Sequence, residues 1–303
     1  MKYNGINKVI IYEVEGMNSM NKVGLLLEGG ANRGIFTAGV LDYLMEQNIE
    51  LPYVVSVSSG NCNAMNYVSK QIGRTKACMI PNGRNTPPIH WKHIKDKKTM
   101  VNLDMVFDDY PNRLVPFDYD TYFASTICCE YVVTNCITGK AEYLTETKDR
   151  VQLMKIGRAS CSMPYICPMV MLKNKPYLDG GIADAIPIQR AIDMGYDKMI
   201  VVLTREKGYR KKESKISHLI NMKFYKDYPE LIETLETKHI KYNETLAQLE
   251  EMEKDGKVVI LRPTKVLAGR MDNHPDHLES FFQQGYDLAH RRIEEIREFI
   301  KAE

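Results

Sequence analysis

The stretch "VVSVSSGNCNA", Val54–Ala64, decides the fold. A β-branched apolar run enters a Ser-Ser-Gly turn, and "NAMNYVSKQ", from Asn63 on, reads as a helix. At such a strand-to-helix elbow a serine is exposed at the C-terminal edge of a sheet, in a strained turn. The positions two before and two after it must be small, because the helix passes close to the strand. Ser58 holds the central position of a Gly-x-Ser-x-Gly pattern, Gly60 keeps the trailing glycine, and Ser56 stands where the leading one belongs. Ser58 or Ser59 equally suits a helix N-cap. Alone, the stretch leaves both readings open.

Outward from this elbow the plan repeats. "KVGLLLEGG" (Lys22–Gly30) is a continuous apolar run ending in glycines, as a buried parallel strand entering a tight turn should be. Beyond it Ile35, Gly39, Val40, Tyr43 and Leu44 recur at helical spacing. "LPYVVSV", "CCEYVVTNCITG", "KAEYLTE", "DKMIVVLTR" and "KVVILRP" are further strand candidates, and "IQRAIDMGY" a helix. Strands alternating with helices predict an α/β layered fold with a mainly parallel sheet. The Pro-, Asn-, Asp- and Lys-rich segment from about Gly73 to Asp120 reads as irregular with short helices. Residues 1–19 are expected as an N-terminal extension and 20–303 as one domain. Within it, 206–256 is a helical insert with a stripe through Leu235, His239, Tyr242, Leu246 and Leu249, and 276–303 a C-terminal helix striped by Phe281, Phe282, Leu288, Ile293, Ile296 and Ile300.

Composition narrows the function. With 44% hydrophobic and 26% charged residues in 303, the chain can bury a substantial core. A net charge of +2 does not favour a nucleic-acid partner. Seven cysteines without paired spacing suggest reduced thiols in a cytoplasm. The apolar run near the N-terminus, Val9 to Tyr12, is too short and too closely followed by Glu13 and Glu15 for a secretory signal, and no run approaches a membrane span. His90 with His93, and Asp272, His274, Asp276 and His277, lack a ligand set at zinc spacing, so no metal is expected.

Two further segments carry chemistry. In "EGGANRG", Glu28–Gly34, consecutive glycines let the backbone present N–H groups beside a helix N-terminus, which suits a phosphate or a developing oxyanion. It is neither GxGxxG, since Ala31 replaces the middle glycine, nor a P-loop; a bare tight turn is the alternative. In "YLDGGIADAIPI", Tyr177–Ile188, two glycines after Asp179 permit a turn that aims its carboxylate into a cleft, although Asp-Gly is also a common hairpin turn.

Taken in order, these motifs resemble the bacterial patatin-like phospholipase family. Its Gly-rich oxyanion loop with a following basic residue falls on Gly29-Gly30-Ala31-Asn32-Arg33-Gly34, its serine elbow on Ser56–Gly60, and its Asp-Gly-Gly on Asp179-Gly180-Gly181. "ASCSMP", Ala159–Pro164, matches the family's Ala-Ser-x-x-x-Pro. The likeness runs from about Lys22 to Arg205 and more weakly through "LRP" and "FFQQGYDLA". It implies a three-layer α/β/α fold with a mainly parallel central sheet and a C-terminal helical portion. It also implies a lipid acyl-ester hydrolase of phospholipase A or lysophospholipase type.

Carried onto matching positions, the resemblance makes Ser58 the nucleophile and Asp179 the base of a dyad. Gly29, Gly30 and Ala31 become oxyanion donors, with Arg33 bracing the loop or adding positive potential; Ser56, Gly60 and Gly180 support the turns. No cofactor is implied, and no calcium loop is visible. The implied partner is a lipid acyl ester, with peripheral contact to a membrane surface through the basic run Arg205–Lys215. Ala31 and Ser56 depart from the family's glycines, and neither removes a reacting group. The competing readings are a non-catalytic lipid-binding module and a Ser-His-Asp esterase. Five of the seven histidines (His218, His239, His274, His277, His290) follow Asp179, but in the esterase fold several strands precede the elbow.

Overall fold

The computed structural model describes residues 23–81, 87–90, 92–97, 99–213, 216 and 218–302; the expected extension over 1–19 lies outside them. The apolar run after Lys22 forms β1 (Val23–Leu27), and the glycine turn leads through a short 3₁₀ turn, Ala31–Arg33, into α1 (Gly34–Glu46). The second apolar run is β2 (Tyr53–Val57), followed at once by α2 (Ser59–Val68). The irregular middle carries α3 (Arg74–Met79), α4 (His93–Lys97), a π-helical turn (Met105–Leu114) and α5 (Tyr119–Ala124). Next come β3 (Cys128–Asn135), β4 (Ala141–Leu144), α6 (Arg150–Ser160), β5 (Val170–Leu172) and β6 (Lys175–Asp179). The chain continues through α7 (Ile188–Asp193), β7 (Lys198–Val202), α8 (His218–Tyr225), α9 (Pro229–Lys254), β8 (Val258–Leu261), α10 (Pro275–Arg291) and α11 (Ile293–Lys301).

Among the described residues these strands form one eight-stranded sheet in the order β5-β6-β3-β2-β1-β7-β8, with β4 paired to β3 off that path. Pairings within β3-β2-β1-β7-β8 are parallel, and those of β4, β5 and β6 are antiparallel. The continuous apolar runs are explained by burial on both faces. Leu25, Leu27, Val54, Ile200 and Val202 point into the core beneath α1, α2 and α10. Leu26, Val55, Val57, Val201 and Ile260 point into the opposite core, which contains Tyr242, Leu246 and Leu249 of α9. The result is a three-layer α/β/α architecture.

The C-terminal stripe, expected as one helix over 276–303, is two helices that break at Arg292. Arg292 Nη1 donates to Ile260 O at 2.6 Å, so the break lies where the chain is anchored to the end of β8. Upstream of it α10 lies on α1, with Phe281 against Phe36 and Tyr286 against Tyr43 (ring centroids 5.4 and 5.0 Å).

The register of β3 positions the site. Its pairing with β2 runs as far as Val57↔Val132. β4 takes the other edge of β3 from Tyr131 to Thr134. β6, which pairs from Val133↔Asp179 onward, must therefore share the edge used by β2. The C-terminal ends of β2 and β6 meet head to head there, one residue apart along β3.

Candidate active site

Ser58 follows β2 with φ 54° and ψ −126°, a conformation that strains a residue with a side chain by about 1–3 kcal/mol. Its N–H donates to Ser160 Oγ at 3.0 Å, and Ser160 Oγ donates to Val132 O at 2.5 Å, which holds the turn against β3. Ser58 occupies the N-cap position of α2 but makes no side-chain cap bond. Instead its hydroxyl donates to Asp179 Oδ2 at 2.6 Å. A Cβ at Gly60 would lie 2.6 Å from Leu27 O, so α2 can start here only with glycine at that position. Ser56 is fully buried; its hydroxyl donates to Asn61 Oδ1 at 2.8 Å and lies 3.3 Å from Glu130 O. The position of the leading glycine is thus occupied by a side chain that ties β2 to the first turn of α2.

Asp179 ends β6 and opens a 3₁₀ turn, Gly180–Ile182, rather than a hairpin. Its Oδ1 accepts from Gly181 N–H at 2.8 Å, its N–H donates to Ser162 O at 2.8 Å, and its carbonyl accepts from Thr134 Oγ1 at 2.8 Å. At Gly180 a Cβ would meet Val132 O at 2.2 Å. Burial pushes the Asp179 carboxyl above its ordinary value, opposed by the hydrogen bonds from Ser58 and Gly181.

The loop after β1 abuts this pair: a Cβ on Gly29 would lie 2.7 Å from Ser58 Cβ. Gly30 N–H is committed to Ser59 Oγ at 3.0 Å, and Arg33 N–H to Gly30 O at 3.1 Å. The N–H groups of Gly29 and Ala31 have no acceptor among the described residues. Ala31 adopts φ 50°, the left-handed region that glycine occupies without strain. Buried Glu28 fixes the base of the loop, accepting from Thr204 N–H and Oγ1 (2.6 and 2.9 Å) and from Tyr242 Oη (2.7 Å). Arg33 Nη2 donates to Thr204 Oγ1 (3.4 Å), and burial pushes its guanidinium down to about 10.

Ser58 lines two cavities of opposite character. One is walled by apolar side chains, including Met65, Val101, Leu103, Phe107, Met154 and Met163, several of them from the segment that reads as irregular in sequence. The other, about 350 Å³, contains Asp179 and a set of arginines and lysines. No histidine lines either cavity. His218 bonds Glu236, His277 bonds Asp272, and His290 packs on Tyr43. Among the described residues no three His, Cys, Asp or Glu side chains converge as a metal site. A hydroxyl bonded to a buried carboxylate, with two backbone N–H groups alongside, is suited to nucleophilic attack and oxyanion binding.

Sequence reasoning missed the supporting residues Ser160, Thr204 and Glu28. "ASCSMP" contains Ser160 but gives no hint that it holds the elbow. Lys238 and Arg270 of the second cavity carried no local signal at all.

Comparison with known proteins places these features. Residues 25–192 match the family model described as patatin-like phospholipase, and residues 228–301 match a domain of unknown function, DUF6363. The chain is similar to the uncharacterized protein YjjU of Escherichia coli (strain K12), at 27% identity over 188 residues. That alignment covers 60% of this chain and 52% of the relative, so the match spans about half of the relative's length. Among solved structures, the crystal structure of VipD from Legionella pneumophila aligns with a TM-score of 0.48 and 13% identity, over 91% of this chain and 67% of that one.

The Ser56 bond gives a prediction. Ser56→Gly restores the Gly-x-Ser-x-Gly pattern but strands Asn61 Oδ1 in a buried site where Asn61 Nδ2 already has no partner among the described residues. The variant should lose about 1–3 kcal/mol in urea unfolding. A neutral or stabilised Ser56→Gly would show that the hydroxyl is dispensable.

Proposed function

The chain belongs to the patatin-like phospholipase family, and on that premise we propose that it hydrolyses lipid acyl esters through Ser58 and Asp179. The observation that carries this reading is the 2.6 Å Ser58 Oγ–Asp179 Oδ2 hydrogen bond at the mouth of an apolar cavity. The acyl chain occupies that cavity, which brings the ester carbonyl to Ser58. Asp179 accepts the hydroxyl proton as Oγ bonds to the carbonyl carbon. The N–H groups of Gly29 and Ala31 receive the oxyanion. Collapse breaks the ester C–O bond, and Asp179 returns the proton to the departing alcohol. Asp179 then takes a proton from water, which attacks the acyl-enzyme; collapse frees the fatty acid, and the proton returns to Ser58 Oγ.

Peripheral membrane contact is part of this proposal and is supported by the surface beside the site. α8 exposes Leu219 (79%), Phe224 (53%), Ile220 and Met222, and Phe224 packs on Tyr165, which lines the second cavity. These apolar side chains beside a cationic mouth suit insertion at an anionic lipid surface. The seven free thiols agree with a reducing compartment, here taken as the cytoplasm. Among the described residues no helix is long and apolar enough to cross a membrane.

Four outcomes are expected. Ser58→Ala and Asp179→Asn should each lower kcat/KM on lipid esters by at least ~10³-fold; retained turnover would refute the dyad. Because Asp179 must be ionised to act and burial raises its pKa, the acid limb of kcat/KM should lie above the ordinary carboxylate range. For stability the sign is opposite: a raised carboxyl pKa favours the folded state at low pH, and that advantage is lost as pH rises through it. Asp179→Asn should therefore unfold at higher urea than wild type at neutral pH, and a lower midpoint would contradict a desolvated charge. Finally, Leu219→Glu with Phe224→Glu should reduce co-sedimentation with anionic vesicles several-fold; unchanged binding would remove α8 from the membrane face.

A further inference from the structure

The second cavity is lined by six cationic side chains: Arg33, Arg205, Lys211, Lys212, Lys238 and Arg270. They come from separate places: the loop after β1, the loop after β7, α9, and the segment between β8 and α10. Only two carboxylates line the same space, and both are engaged, Glu28 by Thr204 and Tyr242 and Asp179 by Ser58 and Gly181. Among the described residues none of the six cations forms an ion pair. Arg33, only 3% exposed, and Arg205 each keep a buried Nε with no partner among the described residues. Two of the cations lie over rings: Arg205 over Tyr209 (4.4 Å) and Lys211 Nζ over Tyr242 (4.9 Å). Burial and mutual repulsion push Lys211 down to about 8, burial first and then Lys238 and Arg270.

So many unpaired cations in one cavity repel one another, and a multiply charged anion relieves that repulsion. The place is also the one where such sheets take ligands. β1 connects outward to β2 and β7 outward to β8, so their C-terminal ends flank a switch point in the sheet. Ser58 lines both cavities, which sets an ester carbonyl at their border with the acyl chain on one side and the alcohol portion on the other.

We propose that this cavity is a phosphate subsite for the leaving group, which directs the enzyme to acyl lipids whose headgroup phosphate carries no compensating cation. This deepens the hydrolase reading above and rests on it for the leaving group, not for the anion. It also gives a role to the segment 228–301, the domain of unknown function. Lys238, Tyr242 and Arg270 from that segment complete the headgroup side of a site whose nucleophile lies in the patatin-like part. A phosphate monoester fits best, because arginine forks and lysine ammoniums together satisfy a dianion. A choline headgroup would bring a cation into a cationic cavity.

The test has two arms. In the first, kcat/KM is compared for two short-chain lysophospholipids kept monomeric, so that surface charge plays no part. They share an acyl chain; one carries a phosphate monoester headgroup and the other phosphocholine. Wild type should prefer the monoester by about tenfold or more. Lys238→Gln and Arg270→Gln should each erase much of that preference, while Arg270→Lys retains it. In the second arm, inorganic phosphate is titrated calorimetrically into Ser58→Ala, where binding should appear and weaken when both Gln substitutions are added. Equal kcat/KM for the two lipids, with no phosphate binding, overturns the proposal. Phosphate binding without headgroup preference overturns the leaving-group assignment in favour of free phosphate. Phosphate binding lost in the variants of a protein that cleaves no ester upholds the anion subsite and overturns the hydrolase reading instead.

Discussion

The edge of β3 is the constraint on which the site depends. Its first half is taken by β2 in parallel and its second by β6 in antiparallel, with the junction between Val132 and Val133. Two strand ends of opposite direction therefore face each other across a single residue step. Ser58 leaves one end and Asp179 terminates the other, and their 2.6 Å hydrogen bond follows from that register. The crowding explains the neighbours. Gly180 must lack a Cβ because Val132 O is in the way, and Ser160 fills the remaining gap by bonding both Val132 O and Ser58 N–H. The same closeness excludes water from Asp179 and keeps its pKa high.

A second constraint ties the C-terminal third to this centre. Buried Glu28 sits at the end of β1, one residue before the Gly29 loop, and binds both Thr204 after β7 and Tyr242 on α9. Displacement of α9 would therefore disturb the loop that faces Ser58. The domain of unknown function is thus fastened to the glycine loop through Glu28 and through Asn32, which bonds Arg270 O and Asp272 O, and it brings its lysine and arginine to the same cavity.

The sequence made the parallel core legible because strands buried on both faces are written as unbroken apolar runs, as in Val23–Leu27 and Lys198–Val202. The elbow, the glycine loop and the Asp-Gly-Gly turn were legible as motifs. β5 and β6 were not: each is short, and β6 reads "KPYLD", where a proline argues against a strand. Pro176 is tolerated because it lies beyond the last β3–β6 pair, Asn135↔Tyr177, and its carbonyl still accepts from Cys136 N–H at 2.9 Å. The break at Arg292 was hidden because the apolar period continues through it, and the reason for stopping is a distant carbonyl, Ile260 O. Both cavities were invisible for the same reason. Phe107 and Met154, or Lys211 and Arg270, lie far apart in the chain and meet only through the fold.

The central claim is that Ser58 is a nucleophile activated by Asp179 alone. The most direct test is peptide mapping by mass spectrometry after brief exposure of the intact protein to a long-chain alkyl fluorophosphonate. The account predicts a single phosphonylated site, Ser58, formed at near wild-type rate when all seven histidines are replaced and strongly slowed in Asp179→Asn. An adduct on another residue, or no adduct while a reference serine hydrolase is labelled, would contradict it.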